Sequence, residues 1–265
     1  MRIIRGKKAL VTGAASGIGR AIALALAREG ADLFLVDINA EGLTHVGDEA
    51  RSHGVAVVTR ICDVADPAQI TAAVQSLQTA WNALDILVNN AGVTYYGPTG
   101  TMSTEQWQRI AAVNLLAPIQ FFNELLPLLA KADDAHVVNV CSMFGVTPWR
   151  KATAYQTTKF GLFGFTAALR SEFCRKHFGI TALCPGFVQQ TSLLEGKANG
   201  RAPPAWLSTT PETVAAKAIN AIRRNRGLVL VTPVAHFYWR LYRLAPGFVD
   251  WLLREGWRSR DRFEM

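Results

Sequence analysis

Along most of the chain, continuous apolar runs alternate with stretches whose apolar residues recur at helical spacing. The runs fall near 8–12, 32–36, 55–60, 84–88, 135–141, 179–184 and 227–232, and the helical patterns at 18–29, 41–52, 68–81, 105–130, 154–176 and 211–225. This alternation is the signature of repeated βαβ units around a parallel sheet. Strands such as Ile86-Leu87-Val88 are apolar at every position, as expected when helices cover both sheet faces. The predicted fold is an α/β, Rossmann-type doubly wound sheet of seven parallel strands. Right-handed crossovers then gather the carboxyl ends of the strands along one edge, where such folds bind their ligands.

Punctuation refines the pattern. Pro67 suits the first turn of the third helix, and Thr104 with Gln106 and Trp107 marks a weaker start for the fourth. Pro118 lies inside 105–130 and should break or kink that helix after Asn114. Residues 187–210 lose periodicity and contain Gly196, Asn199, Gly200, Pro203 and Pro204, so they read as a lid over the ligand edge. Past the last strand, His236 to Leu244 and Phe248 to Trp257 are short aromatic segments bearing arginine, divided by Pro246-Gly247. Residues 1–232 are therefore expected to form the catalytic domain and 233–265 a helical extension packed on it.

The 265 residues, 50% of them apolar, suffice for one full core. No apolar run approaches the roughly 20 residues that span a bilayer. Basic residues lead from Met1 directly into Ala9-Leu10-Val11-Thr12, without the apolar stretch of a signal peptide, so a cytoplasmic protein is expected. Cys62, Cys141, Cys174 and Cys184 are scattered, form no CxxC pair and read as free buried thiols; no metal site is expected. Net charge is +8, and residues 223–265 contribute +5 of it through nine arginines.

The run TGAASGIG, Thr12 to Gly19, follows the first strand and opens the first helix. Glycines at 13, 17 and 19 allow close backbone approach, and the amides at the helix start can hold a pyrophosphate. Asp37 ends the second strand, where a carboxylate can accept bonds from an adenosine ribose and would oppose a 2′-phosphate, so NAD is expected over NADP. The alternative is that Asp37 merely opens the turn to Asn39. Asp63 after the third strand has a similar choice between facing the adenine and capping the turn toward Pro67.

Tyr155 and Lys159 stand four apart on a predicted helix and share a face. A nearby ammonium favours the phenolate, which would bring the phenol toward neutral pKa and make it a general acid or base. Ser142 ends a central strand before Met143-Phe144-Gly145, where its hydroxyl can stabilise charge on a substrate oxygen. The amide of Asn114 sits at the expected helix distortion.

Thr12 to Gly19, Asp63-Val64, Asn89-Asn90-Ala91-Gly92, Asn114, Ser142, Tyr155 to Lys159 and Pro185-Gly186 together resemble the classical short-chain dehydrogenase/reductase family, over residues 6–232. The resemblance implies strand order 3-2-1-4-5-6-7 and a catalytic tetrad of Asn114, Ser142, Tyr155 and Lys159. It implies cofactor contacts from Gly13, Ser16, Gly17, Ile18, Gly19, Asp37, Asp63 and Val64. Asn90, Ala91, Gly92, Tyr155, Lys159, Pro185, Gly186 and Val188 would complete the set. Lys159 would also hold the nicotinamide ribose, and Asn114 would order a water. A homodimer or homotetramer through 105–130 and 154–176 is implied as well. The chain departs from the family pattern at Gln190, where threonine is usual and Thr191 follows, and mildly at Thr158, where serine is frequent.

Around the predicted site, Tyr95, Tyr96, Phe144, Trp149, Phe187, Leu193, Leu194 and Trp206 would build an apolar wall, complicated by Arg150 and Lys151. Ser142, Phe144, Trp149, Tyr155, Phe187 and Leu193 are the expected substrate contacts. The reading is an NAD-dependent oxidoreductase of apolar secondary alcohols and ketones. Its alternatives are an NADP-preferring carbonyl or 3-oxoacyl reductase and a low-turnover dinucleotide-binding regulatory or membrane-associated protein. The tail would cover the substrate entrance, join subunits or touch a membrane surface. No nucleic-acid reading module is recognisable.

Overall fold

The computed structural model describes residues 1–173, 177–189 and 208–255. Strands β1 (Lys8–Thr12), β2 (Asp32–Asp37), β3 (Val57–Ile61), β4 (Ile86–Asn89), β5 (Ala135–Val140), β6 (Phe178–Cys184) and β9 (Leu228–Leu230) form one parallel sheet in the order β3-β2-β1-β4-β5-β6-β9. With β9 as the seventh sheet strand, this is the expected 3-2-1-4-5-6-7. Two short strands, β7 (Phe187–Val188) and β8 (Ser208–Thr209), pair outside it and were not foreseen.

Strand alternation sorts the core into two layers. Ala9, Val11, Leu33, Leu35, Val138 and Val140 face α1 (Gly17–Arg28), α2 (Ala40–Arg51) and α7 (Pro211–Arg224). Leu10, Phe34, Val36, Leu87 and Val137 face α3 (Pro67–Ala80), α5 (Ala117–Leu129) and α6 (Thr153–Phe173). Both faces of the central strands are buried, which is why their sequences show no polar alternation.

The helix predicted over 105–130 is three pieces: α4 (Thr104–Ala111), a π turn over Ala112–Leu116, and α5. Pro118 has no N–H to offer the Asn114 carbonyl at α spacing, and the helix widens into the π turn just before it. The cap of α4 is Ser103 rather than Thr104, with Ser103 and Gln106 bonding reciprocally as a capping box. Asp66 caps α3, with Pro67 in its first turn as expected. By length and mean hydropathy of 1.3, Thr104–Leu129 is the one span among the described residues apolar enough to cross a membrane, and half of it is buried in the core.

Beyond β9, α8 (Pro233–Leu244) and α9 (Pro246–Glu255) pack on one another. Ala235 on α8 and Val249 on α9 are fully buried.

Candidate active site

The glycine loop leaves β1 under tight steric control. Gly13 and Gly17 adopt φ of +64° and +53°, a region that side chains disfavour. At Gly19 even a methyl group would lie 1.9 Å from the Gly13 carbonyl oxygen. The loop is tied to the end of β4 by Thr12, whose Oγ1 accepts from the amides of Asn90 and Ala91 at 3.0 and 3.1 Å. The Asn90 side-chain Nδ2 donates in return to the carbonyls of Thr12 and Gly13 at 3.0 and 3.1 Å. Ser16, the N-cap of α1, spends no side-chain bond on the helix, and the first turn carries no acid. Ile18 packs against the first core layer. A bare helix start, a free hydroxyl and a loop with no room for side chains suit a dinucleotide pyrophosphate.

Asp37 opens the turn to Asn39 and is also tied to the glycine loop. Oδ1 accepts from the Asn39 amide at 2.9 Å, forming the turn, and Oδ2 accepts from Ala15 in the glycine loop at 2.9 Å. A carboxylate has about four lone-pair directions, so capacity remains for ribose hydroxyls. Asp63 is more committed. It accepts from the Ala65 amide at 2.9 Å and takes both guanidinium nitrogens of Arg109 at 2.9 and 3.3 Å, a salt bridge to α4 that sequence reading missed. Burial pushes its carboxyl up, but the Arg109 and Ala65 bonds outweigh this and hold it below the ordinary aspartate range. Val64 is buried in the second core layer.

Asn114 is wholly buried in the π turn, and its side chain brackets one residue of the loop after β4. Oδ1 accepts from the Val93 amide and Nδ2 donates to the Val93 carbonyl, each at 2.8 Å. Nδ2 also reaches Thr158 Oγ1 at 3.2 Å, and that hydroxyl donates to the Tyr155 carbonyl at 2.8 Å. The departure at Thr158 thus keeps a hydroxyl that links the π turn to α6. Gly92 lies beside the Asn114 amide and the Lys159 ammonium. Asn89 ties β4 to β5 through a 2.8 Å bond to Asn139.

Ser142, just past β5, accepts from the Phe144 amide at 3.1 Å and lies near enough to the Tyr155 phenol to draw its pKa down. Lys159 points from α6 to the same strand end, where Nζ donates to the Val140 carbonyl at 2.8 Å and lies 5.8 Å from the Tyr155 ring centre. Here one expectation is corrected. Burial raises the Tyr155 phenol to about 12 instead of drawing it toward neutrality, with Ser142 opposing the rise. The ammonium is engaged by the strand carbonyl, and burial also depresses its own pKa. Around it lie the buried thiols of Cys141 and Cys184, at the tips of β5 and β6. Cys62, Cys141 and Cys184 are free and buried, while Cys174 lies outside the described residues.

Pro185 and Gly186 leave β6 between Met143, whose amide donates to the Pro185 carbonyl at 2.8 Å, and Thr232. Val188 is buried. Next to them Phe144, Trp149 and Phe187 form a three-ring cluster with centroids 5.1, 5.7 and 6.1 Å apart. Gln156, which no sequence pattern marks, holds the Trp149 backbone by accepting from its amide at 2.7 Å and donating to its carbonyl. Tyr95 turns instead to Thr101, 3.0 Å away. Leu193, Leu194, Trp206, Gln190 and Thr191, with most of the expected lid, lie outside the described residues.

A model of the short chain dehydrogenases matches residues 7–201. The ketoacyl reductase HetN of Nostoc sp. is 30% identical over 260 residues, spanning 96% of this chain and 90% of that protein. A putative ketoacyl reductase of the granaticin polyketide synthase of Streptomyces violaceoruber is 40% identical over 184 residues, 68% of this chain and 67% of the relative. A short-chain dehydrogenase/reductase from Burkholderia phymatum, solved in complex with NAD, superposes with a TM-score of 0.82 at 25% identity, covering 94% of this chain and 97% of that one. L-sorbose reductase from Gluconobacter frateurii, complexed with NADPH and L-sorbose, gives 0.80 at 26% identity, covering 88% and 97%. These likenesses agree on the class of chemistry and differ on the phosphorylation state of the dinucleotide. Since the match spans every motif from the glycine loop to the proline-glycine pair, the chain belongs to the short-chain dehydrogenase/reductase family and is an NAD(P)-dependent oxidoreductase of CH–OH and C=O groups.

Proposed function

We propose that the chain interconverts an apolar secondary alcohol and its ketone and prefers NAD to NADP. The observation that carries the substrate reading is the cluster of Phe144, Trp149 and Phe187 beside Ser142, an apolar wall next to the candidate hydroxyl. The cofactor reading rests on Asp37, whose carboxylate is fixed by Ala15 and Asn39 at the end of β2 and would face a 2′-phosphate with like charge. A bound dinucleotide supplies the two-electron acceptor or donor at its nicotinamide. In reduction the Tyr155 phenol, which burial keeps protonated, gives its proton to the oxygen of the carbonyl, leaving the phenolate; oxidation runs this step backwards, the phenolate taking the hydroxyl proton of the substrate. Ser142 steadies that oxygen by donating a hydrogen bond. Lys159 would hold the nicotinamide ribose, and Asn114 keeps the loop after β4 in register with α6. Self-association through α4, α5 and α6 is part of the proposal, supported by Leu116 and Phe160 standing 58% and 39% exposed on those segments.

A second reading, a 3-oxoacyl reductase using NADPH, is favoured by the ketoacyl reductases among the relatives. Parallel binding titrations with NAD(H) and NADP(H) separate the cofactor readings. Tighter binding of the phosphorylated pair would end the Asp37 argument, and Asp37→Ser should narrow the preference by about tenfold or more. A redox screen of aryl carbinols, steroids, acyl alcohols and 3-oxoacyl thioesters, followed at the reduced-nicotinamide band, decides the substrate. Turnover confined to the thioesters favours the second reading, and binding without any turnover would favour a regulatory protein.

A further inference from the structure

Ten large hydrophobic side chains are exposed among the described residues, and five of them, Phe237, Leu244, Phe248, Trp251 and Leu252, belong to α8 and α9, at 47–85% exposure. Their spacing is ordered. Phe237, Arg240 and Leu244 run i, i+3, i+7 along the outer face of α8, and Phe248, Trp251 and Leu252 run i, i+3, i+4 on α9, the first two stacked with centroids 5.8 Å apart. The inner faces already do the packing. Ala235 and Val249 are buried, Tyr238 donates to the Pro148 carbonyl at 3.0 Å, and Tyr238 and Trp239 lie against the cluster that holds Phe144 and Met143. The outer apolar residues are thus dispensable for holding the helices in place. Basic charge accompanies them: α8 has Arg240 and Arg243 and no acid, and Arg254 on α9 is exposed beside Asp250.

We infer that the outer face of α8 and α9 docks on an anionic lipid surface. Aromatic and leucine side chains beside arginines match the acyl-headgroup boundary of a charged bilayer, which takes apolar groups into its edge and attracts cations. A second copy of the chain is a poorer fit, since a two-fold contact on this face would bring Arg240 and Arg243 toward their own equivalents. The inner face of α8 abuts the aromatic cluster by Ser142, so docking would put the site one helix away from a reservoir of apolar molecules. The inference goes beyond the proposed reaction, and its test needs no substrate.

Full-length protein is sedimented with vesicles of phosphatidylcholine alone or mixed with phosphatidylglycerol. The expected result is pelleting with the mixed vesicles, weakened by salt. Phe248→Ser/Trp251→Ser/Leu252→Ser should lower the partition coefficient by roughly tenfold or more, with an unchanged melting temperature reporting an intact fold. Arg240→Glu, which reverses an exposed charge and leaves Arg243 over the Trp239 ring, should weaken the preference for the anionic vesicles by roughly threefold or more, and it decides the matter should the first variant fold poorly. Equal pelleting of wild type and both variants, or no pelleting of wild type at all, overturns the inference. So does a sedimentation-velocity shift in which the triple serine variant dissociates a dimer, which would make this face a subunit contact.

Discussion

Burial raises the Tyr155 phenol to about 12 against the opposing pull of Ser142, an environment that suits the proposed proton donor. Tyr155→Phe is expected to lower kcat by about 10²–10⁴ while leaving dinucleotide affinity within about threefold of wild type, and full retention of activity would remove Tyr155 from the mechanism. His136 offers a stability test away from the site. Buried between strands with Nε2 2.8 Å from Thr181 Oγ1, it is held neutral by burial and by the charges of the Met1 ammonium and Arg170, down to about pH 3 against an ordinary 6.5. The folded pKa is depressed, so its contribution to stability is complete above pH 6.5 and is lost as pH falls toward 3. Unfolding free energies from denaturant titrations should fall with acidity by up to about 1.4 kcal/mol per pH unit in that window, and His136→Gln should flatten the slope. The pairing of Tyr155 with Lys159 was legible from residue type and spacing, and the family resemblance joined Asn114 and Ser142 to it as a tetrad. The phenol's environment was not, because a four-residue spacing reports a shared helix face and says nothing of the Val140 carbonyl that engages Lys159.

At the scale of elements, the glycine loop and the helix broken before Pro118 were both visible in the sequence, since proline and glycine act on their own backbone. What those elements touch was not visible. Gly19→Ala would drive its methyl group into the Gly13 carbonyl, so dinucleotide affinity should fall at least about tenfold, with a stability loss of about 1–3 kcal/mol. Unchanged calorimetric binding would show that the loop can yield. The cap at Ser103 was missed by one residue because Thr104 is an equally good hydroxyl cap by type, and only the reciprocal bond with Gln106 selects between them. The salt bridge from Asp63 to Arg109 joins positions 46 apart, beyond the reach of any local pattern.

For the whole molecule, apolar runs on alternate crossovers were enough to specify seven parallel strands, and the family resemblance supplied their order. Assembly is tested at this scale. Leu116→Glu with Phe160→Glu, on exposed positions of the π turn and α6, should shift the sedimentation coefficient toward a smaller species without lowering the melting temperature of the separated chains. A wild type already monomeric at micromolar concentration would set aside the implied dimer or tetramer.

What the sequence determined by itself were those properties that a residue carries locally: strand periodicity, helix breakage at Pro118, the turn chemistry of the glycine loop and the inventory of groups able to move a proton. Tertiary structure alone decided which face of α8 and α9 is spent on packing, which rings meet beside Ser142, and how far burial outweighs the pull of Ser142 at Tyr155. Those outcomes depend on through-space neighbours and on exclusion of water, and neither is written in the spacing of residues along the chain.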